Sequence, residues 1–467
     1  MWHNSIINTP VRRQNYNMIR AICIYYNNEN VELARQIGEF FRLAGVCITE
    51  HIYNVHDKLR EKIDAISREE YGKDISIAEY NYQYKIYIVS NQQDDMYAFL
   101  DGFENKYIRI NTNNFLDDYS LSYDTIRYDG SVYETIESIL DDIWRNKLIT
   151  EYEKKDLSVL LSVYDTSGVY ELIKQTKYFY PLVCESISSQ LIKQFESVIF
   201  EISGKFKETW GGMGQAIIQY AILRLAMEAN IYSEKAKVFY LYDSKDLYKK
   251  CELLIENNVY ENSFKLLAGE ICNYLLHDEN IAYDYYMDVC KSEEVYNAYA
   301  FYLKGEYWAC FGQDEIAARR YFIKSIRINP EYYVAWYMLA KNLEKINNMK
   351  NATVAYTVVR NIIYPRLRYG ELAAQEYYYL VNACIRLGII YDTPGTEDVS
   401  IKNYLMVEKV WNNIGKQKLN MLPNVNINEL INTIKSSVDI KSVYKSIAQL
   451  YYGAGITDLG DDYMQKA

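Results

Sequence analysis

Up to about residue 148, short apolar runs of strand length alternate with segments whose apolar positions recur every three or four residues. Residues 18–26, MIRAICIYY, form a near-continuous apolar run, as expected of a central parallel strand buried on both faces. The polar turn Asn27-Asn28-Glu29-Asn30 offers N-cap residues to a helix carrying Val31, Ala34, Ile37, Phe41 and Ala44, which Gly45 ends. Residues 46–50 read as a second strand, followed by a loop and a helix with Leu59, Ile63 and Ile66. Residues 85–90, KIYIVS, are the third strand, and a short helix is expected over 94–104. Strands follow at 107–110 and, more weakly, at 125–128. Ser131 and Glu134 have the spacing of a capping box in front of the stripe Val132, Ile136, Ile139, Leu140 and Ile143. Five strands alternating with four or five helices imply right-handed crossovers and a parallel sheet covered on both faces.

From Glu151 onward the spacing is helical almost throughout. Trp336, Leu339, Ala340 and Leu343, followed by Ala352, Tyr356 and Pro365, are repeated upstream as Phe301, Gly305 and Trp308 with Ala318, Phe322, Ser325 and Pro330. The offset is 34 or 35 residues. A weaker copy reads Phe264, Leu267, Ala268 and Ile271, with Ala282 and Tyr286. The pattern resembles the tetratricopeptide (TPR) repeat, in which small residues let two helices approach and aromatic residues fill the groove to the next hairpin. A following helix is expected over 372–387, with capping helices after residue 400.

Composition adds few constraints. At 467 residues and 49% hydrophobic, the chain has material for two to four domains. Its net charge of −11 argues against a sequence-independent grip on nucleic-acid phosphates. The small basic spots Arg12-Arg13 and Arg366-Leu367-Arg368 read as solvated surface. Eight scattered cysteines without a CxxC pair suit buried, reduced thiols. No apolar stretch approaches the ~20 residues of a membrane span; the best, 216–227, is interrupted by Gln219 and Arg224. The first residues lack a signal-peptide layout, so a cytoplasmic location is expected. The 50 tyrosines read chiefly as half-buried packing residues, since those in the repeats fall at core-facing positions.

Ligands of a parallel sheet bind at the carboxyl ends of its strands. There the chain offers Tyr25, Tyr26 and Asn27 after the first strand, Glu50, His51 and His56 after the second, and Ser90, Asn91, Gln92 and Gln93 after the third. The first turn holds no glycine, which disfavours a Rossmann dinucleotide site. The carboxylates of a phospho-receiver are also missing from their positions. Trp210-Gly211-Gly212-Met213-Gly214 follows no strand and reads as a helix connection, His51 and His56 make a poor metal pair, and Ser90 sits in no GxSxG elbow.

The module resembles a Toll/interleukin-1 receptor (TIR) domain over residues 18–148. The similarity rests on the strand ending Ile24-Tyr25-Tyr26, the helix from Ala34 ending in Gly45, Glu50 at a position where the family often has a carboxylate, and a third strand ending in Ser90. In NAD-cleaving members the next helix carries Trp-Cys-x-x-Glu; the matching stretch here is Tyr97-Ala98-Phe99-Leu100-Asp101. Asp101 thus stands where the family has its catalytic Glu, and Glu104 lies nearly one turn further on. The resemblance implies a flavodoxin-like five-stranded sheet and a catalytic carboxylate at Asp101 or Glu104. It also implies a substrate-binding set of Tyr25, Tyr26, Asn27, Glu50, Ser90 and Tyr97, with NAD+ as substrate rather than cofactor and no metal. Cleaving the nicotinamide–ribose bond develops positive charge on the ribose, which a nearby anion stabilises.

The chain accordingly divides into an extension (1–17), a TIR-like domain (18–148), a helical connecting domain (149–260), TPR-like repeats (261–390) and a helical cap (391–467). The expected function is NAD+ cleavage in antiviral defence signalling, with self-association and a protein or peptide trigger acting through the repeats. Two alternatives are a non-catalytic adaptor that binds protein partners through both parts, and a nucleoside-processing flavodoxin-like enzyme.

Overall fold

Five strands, Ala21–Tyr26 (β1), Cys47–Ile52 (β2), Tyr84–Val89 (β3), Tyr107–Asn111 (β4) and Thr125–Arg127 (β5), pair in the order β2-β1-β3-β4-β5, and all four pairings are parallel. Every residue of β1 and β3 is buried, which is why β1 reads as an unbroken apolar run and β3 as one interrupted only by the buried Lys85. The computed structural model describes residues 20–53, 55–72, 83–101, 106–112, 125–173, 185–210, 216–235, 242–256, 261–291, 297–368, 374–414, 431–432, 435–436 and 438–467.

The helices of this region are Val31–Leu43 (α1), His56–Tyr71 (α2), Gln92–Asp101 (α3) and Val132–Arg145 (α4). α1 and α4 pack together, and their apolar stripes join Ile22, Ile24 and Tyr26 of β1 in one buried cluster. The alternate residues Cys23 and Tyr25 point to the opposite face, where they pack with Tyr53, Tyr87, Val89 and Ala98 of α3. β2 runs two residues further than the spacing suggested, so His51 lies in the strand and His56 opens α2. The cap of α4 is half the expected box. Ser131 accepts from the Glu134 amide at 3.2 Å, but the Ser131 amide goes to Asp129 Oδ1 at 2.9 Å rather than to the Glu134 carboxylate. The complete box stands at Thr150 and Glu153, opening the next helix, Glu151–Thr166 (α5).

Beyond α5 the protein is an array of helices, largely in antiparallel-hairpin order: Glu185–Trp210, Ala216–Lys235, Ser244–Glu256, Glu261–Ile271, Glu279–Lys291, Ala298–Cys310, Glu315–Ile328, Tyr333–Lys345, Met349–Ile363, Ala374–Ile390, Glu397–Asn413, Ile440–Gly453 and Thr457–Lys466. The repeat positions are core positions: Trp336, Leu339, Ala340, Leu343, Ala352 and Tyr356 are fully buried, and the Trp336 indole donates to the Pro330 carbonyl at 2.8 Å. Small residues stand where helices touch. A Cβ on Gly305 would come within 2.6 Å of the Phe322 ring, and one on Gly269 within 2.5 Å of Tyr286. No helix among the described residues is long and apolar enough to cross a membrane.

The change of period near residue 148 is not a gap in packing. The cluster on the α1 face runs on through the helical array as far as Leu450. Tyr220 lies against Gly45, whose φ of +85° turns the chain from α1 into β2, and Ser263 Oγ donates to the Gly45 carbonyl at 2.6 Å. α2 packs along the Glu315–Ile328 helix, with Asp64 on Arg327 at 3.1 Å and Glu70 on Arg319 at 3.0 Å, and its Glu69 meets Lys350 of the Met349–Ile363 helix at 2.9 Å.

Candidate functional site at the strand ends

The chain leaves β1 toward β2 on one side and β3 toward β4 on the other, so the loops after β1 and β3 diverge, as they do at the ligand crevice of open parallel sheets. Asn27 follows β1 and Ser90 follows β3, and the structure brings them together. Asn27 Nδ2 donates to Ser90 Oγ and, at 2.9 Å, to Asp94 Oδ2. Its Oδ1 accepts from the Glu29 amide at 3.2 Å and from Asn30 Nδ2 at 3.0 Å, which caps the short turn that follows the strand. One side chain thus shapes its own loop and ties it to the loop after β3.

Asp94, in the first turn of α3, is the centre of this cluster. Besides Asn27, its Oδ2 accepts from Asn91 Nδ2 at 2.9 Å, Ser90 Oγ at 3.1 Å and the Ser90 amide at 3.3 Å. Burial pushes its carboxyl above the usual carboxylate range, while the hydrogen bonds from Ser90, Asn27 and Asn91 pull the other way. An amide, a hydroxyl and a carboxyl converging at two strand ends suit the hydroxyls of a sugar. Asn91 is among the strand-end groups after the third strand but not in the implied substrate-binding set, and Asp94 is in neither, although an acidic residue in the first turn of the helix after β3 is visible in the sequence.

The other expected residues are dispersed. Tyr25 lies on the α3 face, stacked on Tyr87 at 5.0 Å between ring centroids and 5.2 Å from the His51 ring. Tyr26 points to the opposite face. Glu50 is salt-bridged to Arg42 at 2.6 Å, which also holds Glu39, so it braces α1 on β2. Asp101 is the last residue of α3 and Tyr97 lies in its middle, but the side chains of both, and all of Glu104, lie outside the described residues.

Residues distant in sequence close over the ends of β1 and β2. Glu331 Oε1 accepts from the Ile52 amide at 2.9 Å, and its Oε2 lies 3.0 Å from His51 Nδ1. Burial opposes charge on His51, yet its contacts with Cys23 and the Glu331 carboxylate outweigh that and push it up to about 10. Arg366, which the sequence suggested as surface, is buried. It donates to Glu376 Oε1 at 2.7 Å and to the Tyr26 hydroxyl at 3.1 Å. Arg35 of α1 meets the same Glu376 oxygen. The short helix Tyr364–Arg368 also packs against the Asn28–Asn30 turn.

No family model and no curated protein matches this chain. Among solved structures, a monomeric mutant of IFIT1 with Gppp-AAAA is similar at 12% identity and a TM-score of 0.27, over 72% of this chain and 84% of that one. The human IFIT1 dimer with PPP-AAAA gives 12% and 0.23, over 72% and 86%. Superpositions this loose carry no argument about fold or activity.

Proposed function

We propose that the protein is a two-part effector in which a TIR-like, flavodoxin-type module cleaves NAD+ under the control of a TPR-like helical array, in antiviral defence signalling. The observation that carries this reading is the convergence of Asn27, Ser90 and Asp94 at the β1/β3 switch point, at the head of the helix that bears Asp101. In this reading Asp94, held in place by Asn27, binds a ribose hydroxyl, and the carboxylate of Asp101 or Glu104 stabilises the positive charge that develops as nicotinamide departs. Water or an adenine nitrogen then takes the anomeric carbon, giving ADP-ribose or a cyclised product. Self-association through both parts, and a protein or peptide trigger on the array, complete the scheme.

The test is nicotinamide release from NAD+ by the purified full chain, followed by chromatography, with Asp101→Ala, Glu104→Ala and Asn27→Ala variants. Turnover is expected to fall at least a hundredfold for whichever of the first two carries the charge, and severalfold for Asn27→Ala. Unchanged turnover in all three variants would contradict the assignment.

A second reading, a non-catalytic adaptor, is favoured by one observation: Tyr26 and Glu50 are engaged inside the chain, by Arg366 and Arg42. Under that reading no preparation releases nicotinamide.

A further inference from the structure

Two lysines on the helical array share one aromatic frame, away from the strand-end site. Lys304 lies on the Ala298–Cys310 helix and Lys324 on Glu315–Ile328. Lys304 Nζ is 4.1 Å from the centroid of the Tyr321 ring, 5.8 Å from Phe301 and 5.9 Å from Tyr283. Lys324 Nζ is 5.5 Å from Phe301 and 5.9 Å from Tyr321, so both ammonium groups stand over the same two rings. Lys304 is only 4% exposed.

Among the described residues, no carboxylate lies within the 4.0 Å of an ion pair from either lysine. Cys290 beside both and Tyr283 beside Lys304 favour the charged forms, whereas the formally charged neighbours are cations, Lys291 beside Lys304 and Arg320 beside Lys324. Burial and these cations hold both ammonium groups below the usual lysine range. Ring faces compensate only part of the cost of desolvating an ammonium. A multivalent anion would supply the rest, and lysines meet a phosphate as point charges from several sides. Beside them, Tyr283 stacks on Tyr307 with centroids 4.5 Å apart and meets Trp308 edge-on.

We infer that Lys304 and Lys324, framed by Tyr283, Phe301 and Tyr321, form a binding site for a phosphate group, free or carried by a nucleotide. The site is independent of the NAD+ reading, because none of its residues lies near the strand ends in the contacts described above. Binding is expected to weaken steeply with added salt.

The experiment is calorimetric titration of the full chain at low salt with inorganic pyrophosphate and, separately, with ADP. Binding of either supports the site if Lys304→Met weakens it at least tenfold while Asn27→Ala leaves it unchanged. The second substitution separates ADP held here from ADP held at the strand ends. Tighter binding of ADP than of pyrophosphate identifies a nucleotide, and equal binding identifies the phosphate alone. A second readout needs no variant: the acylation rate of Lys304, followed by mass spectrometry, should fall severalfold in saturating pyrophosphate. The proposal is overturned if neither ligand binds, if Lys304→Met binds both as the wild type does, or if Lys304 is not protected.

Discussion

Glu376 shows how much a single buried carboxylate can hold. It lies 1% exposed and takes one guanidinium from α1, Arg35, and another from its own part of the chain, Arg366. Removing one partner from such a group leaves buried charge uncompensated, which typically costs about 3–5 kcal/mol. Glu376→Ala should therefore lower the unfolding free energy by about that amount in urea titrations, and a loss below about 1 kcal/mol would show that the arginines find other partners. Gly305→Ala is expected to cost about 1–3 kcal/mol, because the new methyl meets the Phe322 ring in a filled groove. The repeat spacing made Gly305 legible as a small-residue position. Nothing local marks Arg366, since its Glu376 partner gains meaning only once Tyr26, 340 residues away, is brought beside it.

Among the elements, the five strands were legible to within a few residues, because β1 and β3 are buried on both faces and are apolar apart from Lys85 in β3. The end of β2 was not, since His51 and Ile52 look like loop residues until Glu331 accepts from one and pairs with the other. The contacts of His51 with Cys23 and Glu331 have a pH signature. The folded-state pKa of His51 is raised from 6.5 to about 10, so its contribution to stability is fully present below about 6.5 and is lost as pH rises through 10. Urea midpoints measured from pH 6 to 10 should fall more for the wild type than for His51→Gln. Parallel curves would contradict the assignment of charge to this ring. α2 teaches a related lesson: its apolar stripe predicts a helix, but not that Asp64, Glu69 and Glu70 are matched by cations of the array.

At the scale of the whole molecule, a core continuous from the sheet into the array makes the docked arrangement a property of the fold. The strand ends of β1 and β2 are covered by Glu331 and Arg366, whereas the Asn27–Ser90–Asp94 cluster lies at the neighbouring switch point. In the proposed scheme, motion of the array acts on the site through α1 and the Asn28–Asn30 turn. Glu331→Ala, which releases His51 and the Ile52 amide, should then change the rate of NAD+ turnover more than the affinity for NAD+, as kcat and KM measured separately would show. The parts of the site that sequence alone made visible were those at strand ends; the contacts proposed to govern them join residues about 280 to 340 positions apart.

The most direct measurement is the time course of nicotinamide release from NAD+ by the full chain, dilute and then clustered by a multivalent tag. The account predicts release that appears or accelerates on clustering and is abolished by Asp101→Ala or Glu104→Ala. Absence of release in every assembled state would contradict it.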